Sequence, residues 1–220
     1  MGGIAILVIF CGYIWLAIKL VRITLRWQSW SKTIAAILLV ALLPFVDAVA
    51  GRALLQHKCK TDGQISIQER VSNVEGIALQ YGVFESSPSD YGYNYIEGGL
   101  TYKAPWMLER IKSDGLGNVS NIEKNIELKS KYMLDEKSLD DSTYFYKKRI
   151  SIKEITSGRE LAGFNWFSFR GGWVEKIAMA FSGAGPSSVA ECGTANQQSD
   201  KQLTMLHETL IPAPLRTLDW

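Results

Sequence analysis

The chain has 220 residues with 24 Lys and Arg against 22 Asp and Glu, two His and three Cys. A formal net charge of +2 excludes a general nucleic-acid surface, which needs a strongly basic face, and an acidic solvating tail. The balance hides an asymmetry: residues 1–50 hold four basic and one acidic residue, whereas residues 51–220 hold the other twenty basic and twenty-one acidic residues, a net of −1.

Two apolar runs open the chain, Ile4 to Val21 and Ile34 to Ala50. A hydrocarbon core about 30 Å thick takes roughly 17 to 25 helical residues to cross, so the runs predict a transmembrane hairpin over 1–51, with spans at 4–21 and 34–50 and a loop at 22–33. Lys19, Arg22, Arg26 and Lys32 lie in or beside that loop. Positive charge is retained on the cytoplasmic side, which places the loop inside and residues 52–220 outside, although Arg52, Lys58 and Lys60 argue the other way. Trp27 and Trp30 complete an interfacial set, with indole rings at headgroup level beside the cations. A competing reading is export with cleavage: Ala48, Val49 and Ala50 form a small-x-small site after Pro44, and cutting there would release 51–220.

Of the cysteines, Cys11 falls within the first run and behaves there as a small apolar residue. Cys59 and Cys192 remain as a pair in the following domain. A disulfide between them is expected in an oxidising compartment, closing a long loop and stabilising the fold by about 3 to 5 kcal/mol in the chain-entropy model.

Residues 52–220 are long enough for one domain with its own core, and their dominant period is two, the mark of half-buried strands. Ile65, Ile67 and Val71 precede Ile77, Leu79, Tyr81 and Val83, and the two runs predict a hairpin across Asn73 to Gly76. Tyr91 to Tyr102 reads as a strand with a bulge or turn at Gly98 and Gly99. Asn118 to Met133 is open between strand and short helix. Tyr144, Tyr146, Ile150 and Ile152, followed by Thr156, Ser157 and Gly158 and then Leu161 to Phe169, give the clearest hairpin. Trp173 to Phe181 reads as a further strand, and Leu203, Leu206 and Leu210 as a helix capped by Ser199 or Asp200 and ended by Pro212 and Pro214. The fold class expected is α+β: the two-helix hairpin, then a mainly antiparallel β domain with one or two short helices.

No reaction centre emerges. His57 with Cys59 falls short of the three or four ligands of a zinc site. His207 has no sequence link to Ser187 or Ser188, and no G-x-S-x-G elbow occurs. Gly183 and Gly185 lack the Lys-Ser or Lys-Thr pair of a phosphate loop. Glu97, Glu109 and Asp114 supply carboxylates for acid and base chemistry without a spacing that singles out a pair. No cofactor or metal is expected. Lys147, Lys148 and Arg149 interrupt an aromatic strand, as a charged strand edge does. Asn118 opens a glycosylation sequon. Tyr91, Tyr93 and Tyr95, with Tyr102 and Trp106, form an aromatic stripe that is either core or a contact surface for protein or carbohydrate.

Taken together these features predict a membrane-anchored, non-catalytic accessory or structural subunit of a cell-envelope assembly, held in a bacterial inner membrane with residues 52–220 in the periplasm and meeting an envelope protein partner. The alternatives are an extracytoplasmic ligand-binding or sensing module acting through a membrane partner, and a hydrolase using carboxylates.

Overall fold

The computed structural model describes residues 2–25, 30–42, 45–80, 88–99, 108–113, 119–124, 126–140, 142–182 and 188–214. Two compact units divide the chain. One holds residues 1–57, 141–145 and 168–191, the other residues 58–140, 146–167 and 192–220.

Helices dominate the first unit: α1 Gly2–Leu25, α2 Trp30–Leu42, α3 Val46–Thr61, whose residues from Lys58 on belong to the second unit, and α4 Trp173–Ser182. The expected membrane spans are corrected here, because among the described residues no helix is long and apolar enough to cross a membrane. In α1 the apolar stretch from Ile4 stops at Lys19 after roughly 15 residues, about 22 Å of helix at 1.5 Å per residue, against the ~30 Å a span covers. The second run is not one helix. Its first part is α2, of 13 residues, about 20 Å long. Its second part opens α3, which carries Asp47 and Arg52 and uses them to bind α4. With the spans go the loop at 22–33 as a cytoplasmic segment, the periplasmic placement of 52–220 and the inner-membrane localisation.

The attachment of α3 to α4 is polar and local. Asp47 Oδ2 accepts the Trp173 backbone N–H at 2.7 Å, and Glu175 Oε2 accepts the Gly172 N–H at 2.8 Å, so two carboxylates satisfy N–H groups at the start of α4 that have no partner within the helix. Arg52 pairs with Glu175. Gly51 is a steric requirement: a Cβ there would come within 2.3 Å of the Phe169 ring. The segment 173–181, expected as a strand, is helical instead, since Gly171, at φ 86°, turns the chain out of the preceding strand and the acceptors capping α4 come from Asp47 and Glu175.

The second unit is built on a mixed sheet. Its strands are β1 Ser66–Ile67, β2 Val71–Val74, β3 Gly76–Leu79, β4 Tyr95–Gly98, β5 Glu109–Ser113, β6 Val119–Lys124, β7 Tyr132–Asp140, β8 Phe145–Glu154 and β9 Glu160–Phe169. Among the described residues the order is β1-β9-β8-β7-β3-β4-β5-β6. The outer ends of β8 and β9 belong to the helical unit, where the short β10 Ala190–Glu191 pairs with Ser168 and Phe169.

The β8–β9 hairpin forms as expected. That between β2 and β3 does not: one residue, Glu75, separates the strands, fewer than the two-residue minimum of common hairpins. All four residues of β3 are buried, which suits a central strand covered on both faces, and it lies parallel to both β4 and β7. Strand β2 instead pairs in parallel with β11 Leu210–Pro212. These parallel pairings correct the mainly antiparallel expectation.

Helix α5, Ala195–Thr209, starts earlier than Ser199 because Thr194 and Gln197 make a reciprocal capping box. It places Met205 and Leu206 in the core with Ile77, Ile96, Ile150, Ile152 and Phe164. Cys59 and Cys192 are bonded, with Cα atoms 5.4 Å apart, as expected.

Candidate functional site

The acids considered for catalysis are held in structural roles or lie outside the described residues. Glu97 is fully buried on β4. Its Oε1 accepts from Arg110 Nε at 2.7 Å, and Oε2 accepts the Ser130 backbone N–H at 2.7 Å, with the Lys129 N–H shared between them at 3.1 and 3.2 Å. Arg110 lies directly across the β4–β5 ladder, and its Nη1 reaches Glu123 on β6 at 2.9 Å. Burial lowers the Arg110 proton affinity, but the hydrogen bonds to Glu97 and Glu123 outweigh it and hold the guanidinium above its ordinary range. Glu123, paired with Lys112 and Arg110, is held below the usual carboxylate range. Glu109 meets Lys124 at 3.4 Å, and Asp114 lies outside the described residues. This is a charge ladder tying three strands together.

The other predicted residues separate by unit. Tyr93 and Tyr95 are interior: Tyr93 is fully buried and donates its hydroxyl to the Leu210 carbonyl at 2.9 Å, and desolvation raises the pKa of both phenols. Tyr91 is half-buried, and its carbonyl meets His207 Nε2 at 3.0 Å. Tyr102, Trp106, Asn118, Gly183, Gly185 and Ser187 lie outside the described residues. Ser188 bonds to Glu191. Lys148 and Arg149 are not on an edge, since β8 lies between β9 and β7; they pair with Glu136 and Glu160.

The residues expected at a membrane interface occupy the helical unit. Lys19 and Arg22 are exposed on α1, with the Lys19 ammonium 4.8 Å from the Trp15 ring. Trp30 is 86% exposed at the start of α2, which also contains Lys32; Arg26 and Trp27 lie outside the described residues. Around these cations the surface is apolar. On α1, Ile14, Trp15, Ile18, Leu20 and Ile23 are exposed, Trp15 by 60%; on α2, so are Trp30, Ile34, Ile37, Leu38 and Leu42, Leu42 by 63%. At roughly 150–200 Å² per side chain about half exposed, these ten present on the order of 1,000 Å². One side of a standard protein interface buries about 800 Å², so the summed area is on the scale of such a contact. Residues 2–42 contain no Asp or Glu, so this surface is uniformly cationic where it is charged.

Their hydropathy and basic loop set these residues apart in the sequence, but as a membrane interface rather than as part of the helical unit described here. Sequence reasoning missed the Glu97–Arg110–Glu123 ladder, because the three are aligned by strand register and no local spacing reports that. No protein-family model, curated protein or solved structure matches the chain.

Proposed function

We propose that this chain is a non-catalytic subunit of a protein assembly, docked through α1 and α2 onto apolar helices of a partner protein that carry carboxylates level with Lys19 and Arg22. The observation that carries this reading is the apolar, acid-free surface of α1 and α2. A helix hydrophobic over this much of its circumference is ordinarily covered. A protein cover is favoured over a membrane span because no described helix is long and apolar enough to cross a membrane. The opposite-charge requirement follows from the cations, which would be costly to bury against an apolar partner without paired acids. An oxidising compartment would suit the Cys59–Cys192 disulfide.

The test is photocrosslinking from Ile18 and Leu38, with Val119 of the sheet unit as control, followed by reconstitution with the purified crosslinked species. One heterologous protein should be trapped from both helix positions and not from Val119. It should form a stoichiometric complex that the double variant Lys19→Glu/Arg22→Glu dissociates. Trapping only lipid, only a second copy of this chain, or nothing overturns the reading.

A further inference from the structure

The sheet unit holds a half-open cleft of about 430 Å³ beside the start of β3, within the range of small-ligand sites. Its construction is specific. A Cβ at Gly76 would fall 2.4 Å from the Tyr95 ring, so the ring lies directly on the glycine backbone, and both line the cleft. Arg110 and Lys129 hold that ring from their own sides, at 5.5 and 5.2 Å from its centroid, which fixes its position. One wall comes from β2, where the pairing with β11 shifts register between Val71 and Val74 and Asn73 takes a left-handed conformation at φ 60°. Ser72 and Asn73 are exposed there and line the cavity. Half-buried Tyr132 also lines the cleft.

The charges are unequal. Glu75 is matched by Lys129 at 3.2 Å, whereas Lys131, which also lines the cleft and is exposed, makes no ion pair with any described residue. The lining therefore keeps one uncompensated positive charge beside two aromatic rings and two small polar side chains.

We infer that this cleft binds a small organic monoanion, with its carboxylate or phosphate group on Lys131 and its planar or ring-shaped body against Tyr132. Charge-assisted hydrogen bonds are about twice as strong as neutral ones, so the anionic group dominates affinity, while Ser72 and Asn73 supply hydrogen-bonding groups for a polar body. All of its lining residues belong to the sheet unit.

The test is an NMR and calorimetric titration of the full chain with benzoate, glucuronate and inorganic phosphate, against the uncharged benzamide and glucose. Binding by benzoate or glucuronate, with resonance changes centred on Asn73, Lys131 and Tyr132, is expected, and the neutral pair should bind at least tenfold more weakly. Phosphate binding as tightly as the organic anions would show a bare anion site and overturn the role of Tyr132. The exposed Lys131→Gln should weaken binding about tenfold, about 1.4 kcal/mol, and Lys137→Gln, on the exposed part of β7, should not. Equal affinity in the Lys131→Gln protein, equal affinity for the neutral analogues, or no binding at millimolar ligand overturns the inference. A Gly76→Ala chain that folds should also lose binding, because its new methyl group displaces the Tyr95 ring.

Discussion

Replacing Arg110 by Met removes the guanidinium that pairs with buried Glu97 while keeping much of the apolar volume. Breaking a buried ion pair by deleting one partner typically costs about 3–5 kcal/mol. Here the lower end is expected, because the Lys129 and Ser130 backbone N–H groups still bind the carboxylate. The loss is therefore about 3 kcal/mol, and the part-buried link from Arg110 to Glu123 goes with it. In urea, with a slope of about 2 kcal/mol per molar, the unfolding midpoint should fall by about 1.5 M. The double variant Glu97→Gln/Arg110→Met should recover at least about 1 kcal/mol relative to Arg110→Met, since the stranded charge is then gone. A single-variant loss under about 1 kcal/mol, or a double variant as unstable as the sum of the two singles, would refute the view that charge burial governs this ladder.

Three more outcomes are open to direct measurement. Cys59 and Cys192 are separated by 133 residues, so reduction or the double Ser variant should lower stability by up to about 5 kcal/mol, read as the difference between urea curves with and without reductant. Tyr93→Phe should cost about 1–3 kcal/mol, because the buried Leu210 carbonyl loses the hydroxyl that bonds to it; a cost below about 0.5 kcal/mol would mean that another group satisfies that carbonyl. Burial opposes ionisation of Glu175, but the Gly172 N–H and Arg52 outweigh it and hold the carboxyl below its ordinary value. Its contribution is thus present above the unfolded pKa, about 4.3, and is lost as pH falls through the lower folded value. Glu175→Gln should flatten that acid limb of a stability-against-pH curve, and an unchanged limb would count against the pairing.

Local pattern made the β8–β9 hairpin legible, because two alternating runs flank a short polar turn. The disulfide was legible by elimination, since the third cysteine lies in an apolar run. One further feature was written in the chain but not recognised: Thr194 with Gln197 is a capping box three residues apart. The placement of β3 between two parallel neighbours was not legible. Its four residues are too short a run to distinguish a central strand from one arm of a hairpin, and its partners are chosen by contacts distant in sequence. The same holds for the Glu97 ladder. The apolar opening of the chain was legible as composition, but composition did not reveal that the second run breaks into two helices, the later one spending Asp47 and Arg52 on α4.

The bond between Cys59 and Cys192 turns most of the chain into a closed ring, with α1, α2 and most of α3 as one tail and α5 with β11 as the other. A protease that cuts once anywhere inside the ring leaves two fragments covalently joined, so the helical arm and the C-terminal segment that completes the core remain on one molecule. Separating them takes either a reductant or cuts in a tail. For a subunit held to its partner through α1 and α2, the vulnerable point is therefore the short stretch between those helices and Cys59, where a single cut would release the rest of the protein.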